Sequence, residues 1–157
     1  MKHATVMRSA VGLAAAAMVA GCEGSTLGPQ DGMAFTARAS VGSLTQAPVV
    51  LVSVTVRNRT DLPVSITTTG GCPVSLILET DDGALVYDDG TRICTSDMEV
   101  IEIDPGAQHT WLHSVSVESL MSAGVEPGDY IAKARVAAAP TPLIVLVGNI
   151  IIPRLAE

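Results

Sequence analysis

An all-β fold, an antiparallel β-sandwich of about seven to nine strands, is what this sequence predicts, and three observations carry the prediction. Apolar residues make up 48% of the chain and aromatic residues only 3%, so any core has to be built from Val, Ile, Leu and Ala. Val, Ile and Thr, whose branched side chains suit a pleated, half-buried surface, crowd the chain after residue 40. Short alternating segments are separated by turn residues throughout, with no sustained helical period. At 157 residues the chain has the length of one domain with a real core.

Met33 to Val41 alternates crudely and predicts a first, edge strand, with a break at Gln46-Ala47-Pro48. Val49 to Asn58 carries the clearest signal: Val50, Val52, Val54 and Val56 share one face, and Leu51, Ser53, Thr55 and Arg57 the other. Asn58 to Pro63 reads as a turn, because Asp61 and Pro63 disfavour continued pairing. Val64 to Thr68 resumes the alternation until Gly70-Gly71, and Val74 to Thr80 is the next strand. Asp81-Asp82-Gly83 and Asp88-Asp89-Gly90 both read as tight turns around a return strand at Ala84 to Tyr87. Glu99 to Ile103 is strand-like up to Asp104-Pro105-Gly106, and His109 to Val117 follows. Ser119 to Ala123 predicts one helical turn before Gly124. Asp129 to Ala138 and Leu143 to Ile152 complete the set, the last so aliphatic that both of its faces are expected to be buried. Tyr130, following Pro127-Gly128-Asp129, suits a tyrosine corner, its hydroxyl bonding nearby backbone. The strand count and the spacing of the turns fit an immunoglobulin-like sandwich best.

The N-terminus says where such a domain would work. Lys2 and Arg8 precede an apolar run from Ala10 to Ala20. That run is too short to cross a ~30 Å hydrocarbon layer at ~1.5 Å per residue, so it reads as a signal peptide. It ends in Val19-Ala20-Gly21-Cys22, which resembles the lipobox of bacterial lipoproteins. The resemblance implies cleavage after residue 21 and lipidation of Cys22, with acyl chains anchoring the protein at ~0.8 kcal/mol per buried methylene. Residues 1–21 are thus a lipoprotein signal peptide, 22–32 a lipidated tether too polar and Gly-rich to order itself, and 33–157 the domain. The expected location is the bacterial cell envelope, facing the periplasm or the exterior. Glu23 after the anchor, where some bacteria use aspartate for inner-membrane retention, leans towards the outer membrane.

The formal charge is −7, and removing Lys2 and Arg8 with the leader takes it to −9. Such a chain is expected to carry no electrostatic footprint for nucleic acid or anionic headgroups. With Cys22 given to lipid, Cys72 and Cys94 remain as a pair in an oxidising compartment. Their disulfide would close a 23-residue loop, worth roughly 3 kcal/mol on the chain-entropy model. A metal site is the competing idea, but two cysteines without neighbouring His make a poor zinc cage. His109 and His113, four apart with Trp111 between them on the same strand face, could offer paired imidazoles to a metal. Half-exposed positions on an edge or solvent face explain them more simply. Neither DDG has the ligand pattern of an EF-hand. No nucleophile elbow, Walker loop, HExxH or dinucleotide fingerprint is present. No enzyme, metal or cofactor is expected. The stapled loops, Gly70, Gly71 and Pro73 with Thr91, Arg92 and Thr95, are the candidate recognition surface.

Four stretches, VTVRNRTDLPVSITTTGGC, LETDDGALVYDDG, IEIDPGAQHTW and VEPGDYIAKARV, resemble the BsuPI-type intracellular proteinase inhibitor family. The shared plan is a strand ending in Asn58, a turn into a Pro-Val strand, a D-G hairpin, a PG turn and a late PGxY strand. The resemblance implies an immunoglobulin-like domain and proteinase inhibition, with no inhibitory residues carried over. The expected function is a membrane-anchored extracytoplasmic module that binds another envelope protein or serves envelope structure. Proteinase inhibition and metal binding are the alternatives.

Overall fold

The computed structural model describes residues 32–44, 47–69, 71–91, 97–138 and 141–155. Nine strands form among them, all paired antiparallel. The first sheet is β1 (Met33–Leu44), β2 (Ala47–Asn58) and β7 (Gln108–Ser116), with β2 in the middle. The second has the order β5 (Leu85–Asp88), β4 (Val74–Glu79), β8 (Gly128–Val136), β9 (Leu143–Ile152). A two-stranded ribbon of β3 (Val64–Thr69) and β6 (Met98–Ile103) stands beside them. Pairing β2 with β7 and β4 with β8 across intervening strands is the Greek-key connection of immunoglobulin-like sandwiches.

The alternation of β2 explains the core. Val50, Val52, Val54 and Val56 are all fully buried, each side chain contributing about 1.5–3 kcal/mol of apolar transfer. In register beside them lie Phe35, Ala37 and Ala39 of β1 and His109, Trp111, His113 and Val115 of β7. Leu76 and Leu78 of β4, Ala132, Ala134 and Val136 of β8, and Val145, Ile150 and Ile152 of β9 complete the same core. It is aliphatic, as the composition requires, with Phe35, Trp111 and Tyr130 as its buried aromatics.

Two local expectations are met at atomic detail. Tyr130 donates its hydroxyl to Glu126 O at 2.8 Å, the tyrosine-corner bond. The helical turn is α1 (Val117–Ser122), capped by Ser116, whose Oγ accepts from Ser119 N at 3.0 Å.

Others are corrected. Ala47 and Pro48 are no break: they lie inside β2 opposite Leu44 and Ser43, with pairing to β7 starting at Val49, while Gln46 lies outside the described residues. Strand β9 is not buried on both faces, since Ile151 and Asn149 are exposed. Gly148 pairs with Ala132 and Leu146 with Lys133, leaving Val147 as an extra residue. This bulge, with Gly148 at φ 121, reverses the alternation so that Val145 and then Ile150 and Ile152 point inwards. The second DDG is no hairpin turn either, because Asp89–Thr91 forms a 3-10 turn.

Candidate functional site

The charged chemistry of the described residues concentrates on the second sheet and its edge. On its outer face Lys133 and Arg135 project from β8, since Ala132, Ala134 and Val136 take the inner positions. Arg135 makes a bidentate pair with Asp88, Nη1 to Oδ1 at 2.8 Å and Nη2 to Oδ2 at 2.6 Å. Lys133 Nζ reaches Glu79 Oε2 at 2.6 Å. These pairs cross the β4 positions Ser75 and Ile77, which are buried although they face outwards. Long charged side chains can shelter an apolar surface in this way while their heads stay wet. The Arg135 guanidinium, by hydrogen bonding, holds the Asp88 carboxyl below its ordinary value, and Asp88 in turn raises Arg135.

Asp89, one residue on, turns inwards and is 5% exposed. Its Oδ1 accepts from Leu76 N at 2.7 Å, giving β4 a side-chain partner at the point where β5 has ended. Its Oδ2 lies 2.6 Å from His113 Nε2, the ring N–H donating to the carboxylate. Asp89 therefore ties β4 of one sheet to β7 of the other.

Both histidines are half-buried positions on β7, the edge strand of the first sheet, as expected, and they share its inner side with buried Trp111. His109 packs edge-on against Trp111, with ring centroids 4.8 Å apart, while His113 is engaged by Asp89. Among the described residues no group of three or more His, Cys, Asp or Glu is placed to hold a metal ion.

The candidate recognition loops are only partly within the described residues. Gly71, Cys72 and Pro73 form a jog between β3 and β4, where Ala137 N donates to Pro73 O at 2.9 Å. This jog lies on the flank of the sandwich rather than at one end, because β3 and β4 run on together beside the end of β8. Cys72 is disulfide-bonded. Thr91 ends the 3-10 turn. Gly70, Arg92, Cys94 and Thr95 lie outside the described residues, as does Cys22.

Reading the sequence missed Asp88, Asp89 and Arg135 as interacting groups. The one available signal was Lys133 and Arg135 alternating with alanines along a strand, which places two cations on one face in need of acids.

A second feature is apolar. Ribbon strand β6 pairs with β3 alone among the described strands. On its outward face Met98 is 64% and Val100 65% exposed, between the carboxylates of Asp97, Glu99 and Glu102. No described helix is long and apolar enough to cross a membrane.

No family model matches the chain, and no curated protein matches it. Among solved structures, the C-terminal domain of wzt aligns over 87% of this chain and 80% of its own, at 15% identity and TM-score 0.47. A protein from Archaeoglobus fulgidus aligns over 78% of this chain and 98% of its own, at 15% identity and TM-score 0.41. The β-glucosidase EmGH1 from Erythrobacter marinus matches over 74% of this chain but only 15% of its own length, at 16% identity and TM-score 0.38. Similarities of this size carry no functional argument.

Proposed function

We propose that this protein is a lipid-anchored, extracytoplasmic, non-catalytic binding module of the bacterial envelope, which takes up an extended segment of a partner protein along the edge of β6. The lipobox-like Val19-Ala20-Gly21-Cys22 supports the anchor, and Cys94 is the proposed disulfide partner of Cys72. The observation that carries the binding role is the exposed edge itself. Sheet edges present unpaired N–H and C=O groups that an added strand can use, while side-chain positions confer selectivity. Here Met98 and Val100 offer apolar contacts, and Glu99 and Glu102 repel a second copy of the same acidic edge. The chemistry therefore suits a strand that alternates apolar residues with Lys or Arg.

The test is a photo-crosslinking residue at Val100 of the intact lipoprotein in its own envelope, compared with one at Thr36 on the outside of the other sheet. A discrete product at Val100, mapped to a basic extended segment and lost on Glu99→Lys, supports the reading. Equal labelling at both positions, or none at either, rejects it.

A further inference from the structure

The end of the sandwich from which the tether departs has a composition unlike the rest of the surface. Residue 32 is held in place there: Arg59 N donates to Gly32 O at 3.0 Å, and Gly32 sits at φ 79 so close to Thr60 that a Cβ would lie 2.2 Å from its Cγ2. Beside it an open cavity of about 460 Å³ is lined by Arg57, Asn58, Arg59, Thr60, Asp61, Pro105 and Gly106. Neither Arg57 nor Arg59 forms an ion pair among the described residues. The turn that follows is braced by hydrogen bonds. Buried Asn58 donates from Nδ2 to Leu62 O at 2.7 Å and to Ile103 O at 2.9 Å, and its Oδ1 accepts from Thr60 N and Thr60 Oγ1. At the tip of this braced turn Leu62 is 71% exposed, so an apolar side chain is presented to the outside.

Charge and reach separate the two ends of the molecule. At the tether end Arg57 and Arg59 are matched by Asp61 and Asp104. The opposite end, where the β4–β5 hairpin, α1 and the end of β9 lie, exposes, among the described residues, Asp81, Asp82, Glu118, Glu126 and Asp129 against the single cation Arg154. Anionic headgroups would repel that end most strongly. The ten residues from Cys22 to Asp31 reach at most about 36 Å at ~3.6 Å each. The 12-residue β1 that separates the ends measures about 40 Å at ~3.3 Å per residue. A domain inverted on the bilayer would need the tether pulled to its limit.

We infer that the Arg57–Arg59–Leu62 end docks onto the surface of the bilayer that holds the lipid anchor, with Leu62 entering the headgroup boundary and the two guanidinium groups meeting lipid phosphates. This inference rests on the proposed lipidation of Cys22. It orients the domain with its acidic end outermost and leaves the β6 edge facing sideways, open to a partner.

The test uses the intact lipoprotein purified from membranes and reconstituted into phosphatidylethanolamine–phosphatidylglycerol vesicles, with Leu62→Trp and, at the far end, Leu85→Trp as separate variants. Trp111, buried in the core, contributes the same background to both. The expected result is a blue-shifted emission at position 62 that is quenched several-fold more by acyl-brominated lipid than emission at position 85. Adding Arg57→Glu and Arg59→Glu should abolish the difference. Equal quenching at 62 and 85 in protein that floats with the vesicles overturns the docking and leaves the anchor standing. Wild-type protein that fails to float overturns the anchor, and the docking with it. If Leu62→Trp does not fold, amide exchange of the Arg59–Leu62 turn in the wild type serves instead: slowing with vesicles supports docking, and an unchanged rate overturns it.

Discussion

The tripeptide Asp-Asp-Gly occurs twice within ten residues, and its two copies have opposite fates. Asp81-Asp82-Gly83 closes a solvent-exposed hairpin, where Thr80 N donates to Ala84 O and Gly83 N to Thr80 O, both at 2.9 Å. Asp82 accepts from the Thr80 hydroxyl, and this bond lowers its pKa. All of these partners lie within four residues. In Asp88-Asp89-Gly90 one bond is local, Gly90 N to Asp88 Oδ1 at 2.9 Å, but the other partners are remote: Arg135 is 47 residues from Asp88, and His113 is 24 residues from Asp89. Even the two glycines serve different ends. Gly83 is favoured by its backbone, at φ 85 with open space around it, whereas at Gly90 the constraint is a neighbour, since a Cβ there would lie 1.9 Å from Arg135 Nη1 and the guanidinium would have to move. Identical local chemistry thus becomes a turn in one place and a tie between the sheets in the other, according to what the fold brings near.

Mutation separates the two copies most severely at Asp89. Asp89→Ala leaves Leu76 N and His113 Nε2 without their acceptor in a buried place, and should cost on the order of 3 kcal/mol in urea unfolding. Gly83→Ala and Gly90→Ala should each cost about 1 kcal/mol, for different reasons. The first forces a side chain into left-handed backbone, so its cost should be the same in any background. The second displaces the Arg135 guanidinium, so its cost should largely vanish in an Arg135→Ala background, as a double-mutant cycle would show.

Asp88→Asn, which removes the acid of a partly buried bidentate pair, should cost about 1 kcal/mol near neutral pH. Because Arg135 depresses the Asp88 pKa, this contribution is complete above the unfolded value of 3.8 and is lost as pH falls through the lower folded value. Acid titration of stability should therefore show a steeper loss below about pH 4 in the wild type than in Asp88→Asn. The smallest effect belongs to Asp82→Asn. That side chain is solvated and bonded only within its own turn, and the unfolding midpoint should not move measurably.

How far the fold could be read in advance follows the same division. Strand β2 was legible because four valines at period two have one way to be buried, and all four are buried. Tyr130 was legible because its partner, Glu126, lies four residues upstream. Strand β9 was misjudged because a bulge at Val147-Gly148 exchanges its faces halfway, and nothing in an unbroken aliphatic run announces which residue the opposite strand will skip. For His109 and His113 the sequence predicts half-exposed positions on an edge or solvent face, and it is the edge that the fold supplies. The register of β7 against β2 turns their face inwards, where Trp111 and Asp89 engage the rings.

The sequence by itself determined the strand-rich class of this protein, the aliphatic make-up of its core and most of its turns. Alternation and turn chemistry act over a few residues and do not wait for the rest of the chain. The tertiary structure alone decided which carboxylates are structural, which face of β7 is buried, where β9 changes sides, and that Leu62 and the two arginines share an end with the tether. Each of these depends on a partner tens of residues away, whose distance is set only when the two sheets close on each other.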